Sequence, residues 1–180
     1  MRSPRSAKPV YVLAAIAGLL FSAPAHATTL LTASLNGANE RPTPVTTPAA
    51  GTGSVVLNDA ETNIDVLLSW ASLSSNAFLA HIHGPAGVNA TATPIIDLTS
   101  SIPAAPNNTA SLNGGSPLSF AVTAQQVADL KNGLWYFNVH SAEFPGGEIR
   151  GQIVPEPGTT LLVTAGLAGL AWMGRRPRVS

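Results

Sequence analysis

The sequence predicts an all-β protein, an antiparallel β-sandwich or flattened Greek-key barrel with one short helix. Three observations predict it. From about Thr28 to Val154 the apolar residues come in short runs of period two, and Gly, Pro, Asn and Asp separate the runs. Only one stretch combines helical periodicity with helix caps. Many short strands with frequent turns bury their apolar faces by packing sheet on sheet or by closing one sheet on itself.

The elements follow in order. TLLTASL (29–35) is a strand, and the Pro-rich ERPTPVTTPAAG after it is loop or extended chain. GSVVLND and NIDVLLSW form a hairpin turning at 60–62. In its second arm Ile64, Val66, Leu68 and Trp70 alternate with Asn63, Asp65 and Ser69, the pattern of a half-buried strand. FLAHIHG, PIIDL, LSFAV, LWYFNVH and GEIRGQIV are further strands, giving seven or eight in all. SSIPAAPNNTASLNGGSP (100–117) reads as a mobile polar surface loop. The helix is TAQQVADLKNG. Thr123 and Gln126 form a capping box, Val127 and Leu130 give an apolar side, and Gly133 stands where a C-terminal cap belongs.

Both ends carry addresses. MRSPRSAK, the apolar run VYVLAAIAGLLF and the Ala25-His26-Ala27 tripeptide have the layout of a secretory signal cleaved after Ala27. At the other end Pro155, Glu156 and Pro157 precede an uncharged stretch (159–174) and the cluster Arg175, Arg176, Arg178. As a helix that stretch spans about 24 Å, slightly short of a bilayer core, and the arginines hold its end on the cytoplasmic side. The three parts together strongly resemble the PEP-CTERM sorting signal, whose bearers are processed by an exosortase and released to the cell surface. The division is therefore 1–27 signal peptide, 28–154 folded domain and 155–180 sorting and anchor segment. The implied partners are signal peptidase, an exosortase-type enzyme and, transiently, the inner membrane.

Charge and cysteine content narrow the middle. The 180-residue chain is formally neutral, but most of its basic residues lie at the two ends. Between them only Arg41, Lys131 and Arg150 face nine acidic residues, which argues against nucleic-acid binding. There is no cysteine, so this exported domain is held by packing, with or without a bound ion.

AHIHGPAG (80–87) places His81 and His83 two residues apart, on one face of a strand. In LWYFNVH the faces divide Trp135, Phe137 and Val139 from Tyr136, Asn138 and His140. In GEIRGQIV they divide Ile149 and Ile153 from Glu148, Arg150 and Gln152. If these strands are neighbours, His81, His83, His140 and Glu148 share one surface. Three imidazoles and a carboxylate suit one Zn²⁺ or Cu²⁺ ion. A hydrogen-bonded polar face is the plainer alternative. Arg150 either grips a carboxylate or phosphate ligand or pairs with Glu148 or Glu143, the pairing being preferred. Trp135 and Tyr136 read as core and strand residues rather than a stacking platform.

LNGANERPTPVTTPAAGTGSVVL, AHIHGPAG and above all YFNVHSAEFPGGEIRGQI resemble the CHRD domain, the module described in chordin and common in bacterial exported proteins. The last phrase, with Asn138, His140, Phe144, Gly146, Gly147, Glu148, Arg150 and Gly151 in order, is the most specific. The chain departs from the family at Arg41, where an apolar residue is usual. The resemblance implies a sandwich similar to copper/zinc superoxide dismutase and no established catalytic function. A dinuclear dismutase site needs about twice the histidines of the mature chain.

Two functions follow from the sequence. The leading one is a non-enzymatic binding or structural module of the envelope or matrix, with a surface protein or polysaccharide as partner. It rests on the sorting tail, the family and the lack of a nucleophile–base motif. The competing one is a mononuclear metalloprotein, a carrier or small enzyme, using His81, His83 and His140. A pH sensor built on the histidines is a weaker third.

Overall fold

The computed structural model describes residues 28–156. Nine strands form one antiparallel sheet: β1 (Thr29–Asn36), β2 (Ala50–Leu57), β3 (Asn63–Ala71), β4 (Ala77–His83), β5 (Pro94–Asp97), β6 (Ala110–Ser111), β7 (Leu118–Ala121), β8 (Trp135–Ser141) and β9 (Ile149–Pro155). The order is β5-β4-β8-β9-β1-β2-β3-β6, with β7 also pairing β3. The all-β expectation holds. In place of two separate sheets, however, one continuous sheet curls into a half-barrel.

The curl has a local cause that is easy to see. β2 and β8 are separated in the sheet by β1 and β9, yet the Phe137 ring lies against Gly53, where a Cβ would meet it at 2.4 Å. Glycine at that point lets the two halves close on one core. Leu31, Leu35, Val55, Leu57, Ile64 and Val66 come from one half, and Ala80, Ile82, Trp135, Phe137, Val139, Ile149 and Ile153 from the other. The predicted alternation of β3 holds, with Ile64, Val66, Leu68 and Trp70 all buried. In the hairpin before it, Asn58 Oδ1 accepts from the amides of Thr62 and Asn63, and Glu61 takes a positive φ of 55°.

Helix α1 (Ala124–Lys131) starts at the predicted capping box. Thr123 Oγ1 accepts from the Gln126 amide and Gln126 Oε1 accepts from the Thr123 amide. Gly133, at φ 67°, follows the C-cap Asn132. One expectation fails. The segment 100–117 is not a plain surface loop. It supplies β6, and its Asn107 is buried, with its backbone carbonyl accepting the Trp70 indole N–H and its side-chain Nδ2 donating to the Ala77 and Pro103 carbonyls. One residue, through backbone and side chain together, ties the segment down, and composition does not reveal it.

The predicted signal peptide, with Ala25 and Ala27, and the uncharged tail with Pro157, Arg175 and Arg176 lie outside the described residues. Among the described residues no helix is long and apolar enough to cross a membrane.

Candidate metal centre

β4, β8 and β9 are neighbours, the condition under which their polar faces form one surface. The register opposes Leu79 to His140, His81 to Asn138 and His83 to Tyr136, and then Asn138 to Arg150 and Tyr136 to Gln152. Opposed residues in an antiparallel pair project to the same side. The face away from the core therefore carries His81, His83, Tyr136, Asn138, His140, Arg150 and Gln152. Unlike an ordinary outer face it is not open to water: His83, Asn138, His140 and Arg150 are all buried.

One nitrogen from each of His81, His83 and His140 lies within 4.8 Å of the other two. His83 Nδ1 donates to the Ala92 carbonyl at 2.9 Å, and His140 Nδ1 donates to the Pro145 carbonyl at 3.0 Å. A carbonyl only accepts, so each ring keeps its proton on Nδ1 and turns an Nε2 lone pair inward. His83 Nε2 is buried without a hydrogen-bond partner, and His140 Nε2 lies 3.4 Å from His81 Nδ1. His81 Nε2 faces outward, 3.7 Å from Asp97 Oδ1 on β5. All three imidazoles thus have an acceptor behind them and a nitrogen in front. Two nitrogens bound at about 2.1 Å in tetrahedral geometry stand about 3.4 Å apart, which is the His81–His140 spacing.

Two of the rings, His83 and His140, have their pKa lowered by burial. Burial, outweighing the Ala92 hydrogen bond and aided by the neighbouring His81, His140 and Arg150 charges, pushes His83 down to about 4. Burial likewise holds His140 below the ordinary histidine range. For both rings burial favours the neutral, ligating form.

Glu148 is not among the gathered groups. β9 begins only at Ile149, so Glu148 stands in the bend before the strand, where strand alternation does not govern its side chain, and its amide donates to the Val139 carbonyl. The carboxylate turns to Thr47 and Ser74 instead, accepting at Oε1 from Thr47 Oγ1 and from the Ser74 amide and hydroxyl. Burial pushes its carboxyl up, but donors from Ser141, Thr47 and Ser74 outweigh this and hold it below the ordinary range.

Arg150 does not make the preferred pairing either. Its guanidinium carbon sits 3.6 Å from the Tyr136 ring centroid, and Nη2 donates to the Gly87 carbonyl. Tyr136 in turn stacks on His83, with centroids 4.9 Å apart and planes 8° from parallel. It is a stacking platform after all. Its hydroxyl accepts from the Ala92 amide, so the loop that fixes His83 is itself held by Tyr136.

Two residues of this neighbourhood had no sequence signal. Asp97 sits in the short strand β5, and only the β4–β5 register, His81 opposite Asp97, brings it to His81. Glu40 lies in the Pro-rich stretch yet is buried against Asn138, whose Nδ2 donates to Glu40 Oε2 at 3.3 Å. Glu40 Oε1 and Asn138 Oδ1 are buried without partners. Gly147 has a φ of 126°, and a Cβ there would meet Asn138 at 2.6 Å and Glu40 at 2.9 Å, so only glycine lets this turn close over them.

Fold and site together define a cysteine-free antiparallel β module with a buried histidine cluster on one face of a curled sheet. The chain belongs to the CHRD domain family, which matches residues 31–153, and a PEP-CTERM protein-sorting motif matches residues 154–176. The motif implies processing by exosortase-type machinery and delivery to the cell surface through a membrane-associated step. Comparison with curated proteins and with solved structures finds no match.

Proposed function

We propose that this exported module holds one transition-metal ion, Zn²⁺ or Cu²⁺, on His81, His83 and His140, and serves at the cell surface as a metal-holding binding module. The observation that carries this reading is the inward turn of three imidazole nitrogens whose opposite nitrogens face acceptors. Three nitrogen ligands leave a fourth position for water or for a group on a matrix partner. An imidazole cluster serving only as a polar face would gain nothing from a buried Nε2 without a partner, since an unmade buried hydrogen bond costs about 1–3 kcal/mol.

Elemental analysis of the full chain, grown with zinc and with copper, tests the proposal. About one ion per chain is expected, absent from a His81→Ala/His83→Ala variant whose circular dichroism is unchanged. Asp97→Asn should retain the ion with affinity lower by about tenfold. Folded wild-type protein that purifies without metal, and takes up none on dialysis, would sink the reading.

A further inference from the structure

The face that carries the histidines continues onto β9, where Arg150 and Gln152 border a separate opening. Arg150 is only 2 % exposed. Besides the Tyr136 ring it has two acceptors, the Gly87 carbonyl at 3.2 Å and Gln152 Oε1 at 3.5 Å. A guanidinium carries five donors and a permanent charge. Among the described residues no carboxylate lies within ion-pair distance of it, since the ion pairs there are His81–Asp97 and Lys131–Glu61. Taking a cation out of water without a counter-charge is costly.

What faces this cation is a cavity of about 110 Å³ lined by Asn39, Arg41, Val88, Arg150 and Gln152. Arg41 brings a second guanidinium, and its place is fixed. Nη1 donates to the Ala38 and Glu40 carbonyls at 3.1 and 2.7 Å, and Nη2 donates to Asn89 Oδ1 at 3.4 Å. Two positive charges and two amide side chains therefore border one small space. Glu40, whose carboxylate is near enough to act on both charges, borders a different opening between the 40–45 and 143–147 segments. The volume is well below the roughly 300–1,000 Å³ of pockets that enclose a whole small molecule. It suits a single ionic group.

We propose that this cavity binds one oxyanion group, a carboxylate or sulfate, between the guanidinium groups of Arg150 and Arg41. Planar forks match such oxygens two at a time. The group arrives either as a free ion or as a pendant of an acidic polysaccharide lying across the exposed rim at Val88. The site is distinct from the histidine cluster and needs no metal.

Calorimetric titration of the full chain at low ionic strength tests it, with sodium sulfate, sodium acetate, a polyuronate and neutral dextran as probes. Saturable one-to-one binding of sulfate or acetate is expected, weakened about tenfold or more by Arg41→Gln and by Val88→Asp. Both variants alter the rim rather than the core, and unchanged urea unfolding and metal content verify that they act locally. Polyuronate binding tighter than acetate, lost in the same variants, assigns a pendant carboxylate, and equal binding assigns the free ion. No binding of any anion at tens of millimolar by folded protein overturns the proposal. So does binding that survives both substitutions.

Discussion

The two halves of the sheet share one core and differ on their other side. On β1, β2 and β3 that side carries Thr32, Ser34, Thr52, Ser54 and Ser69, which line an open groove. The hydroxyls of Thr52 and Ser69 lie 3.1 Å apart, and water satisfies what they do not satisfy themselves. On β4, β8 and β9 it carries imidazoles, an amide and a guanidinium, buried among the 37–47, 84–93 and 141–148 segments. The inner faces are interchangeable in kind, and the outer faces are not. An outer face left to water needs only small polar residues. One that is covered must find a partner for every charge and lone pair, and each group left unmatched there is costly.

The sharpest break in this comparison is Arg150→Ala. It empties the space over Tyr136 and strips the Gly87 carbonyl of its donor, so a stability loss of about 3 kcal/mol is expected in urea unfolding. A loss under 1 kcal/mol would show that the covered face is no more demanding than the open one.

Glu40→Gln comes next and separates charge from packing. Burial, opposed by the Asn138 hydrogen bond and by Arg150, raises the Glu40 carboxyl to about 7. The native state therefore binds a proton that the unfolded chain releases near its ordinary value of 4.5. The Glu40 contribution is fully present below that value and is lost as pH rises through about 7. The loss is on the order of 3 kcal/mol. The difference between the amide variant and wild type should therefore grow in the variant's favour from pH 5 to pH 8, leaving it above wild type at pH 8. Parallel curves for the two proteins would refute the assignment.

The smallest effect belongs to the open face. Thr52→Ala should shift stability by at most about 0.5 kcal/mol at any pH. A larger loss would mean that the hydroxyl groove is itself covered or occupied.

Much of this was legible in the sequence, for reasons that differ by region. Period-two alternation assigned the faces of β3, β4 and β8 because a strand leaves its side chains no other choice. The Thr123 cap was legible because its partner is three residues away. Legibility ended where a contact depended on a strand boundary or on distant chain. Glu148 left the histidine face because β9 starts one residue later, at Ile149, and period two says nothing about a residue in the bend before it. Asp97 and Glu40 reach the site through the β4–β5 register and through the placement of the 37–47 loop, neither of which has a local signal. Tyr136 was misjudged because its parity shows its face without showing that Arg150 and His83 would both settle on its ring.

The pairing of β9 with β1 sets a limit on the sorting step. Pro155, which opens the Pro-Glu-Pro sequence, is still registered opposite Leu31, and the Glu156 amide donates to the Leu30 carbonyl. The folded module runs up to its address label without slack. An enzyme that grips extended chain before Pro155 has to peel β9 from two neighbours and pull Ile153 out of the core. The pairing thus shields the chain up to the label. Because antiparallel β1 begins where β9 ends, the beginning and the end of the module leave from the same rim. Arg150 and its register partner Asn138 lie five residues back along β9, roughly 17 Å from that rim. The covered face therefore lies well back from the rim through which both ends of the module leave.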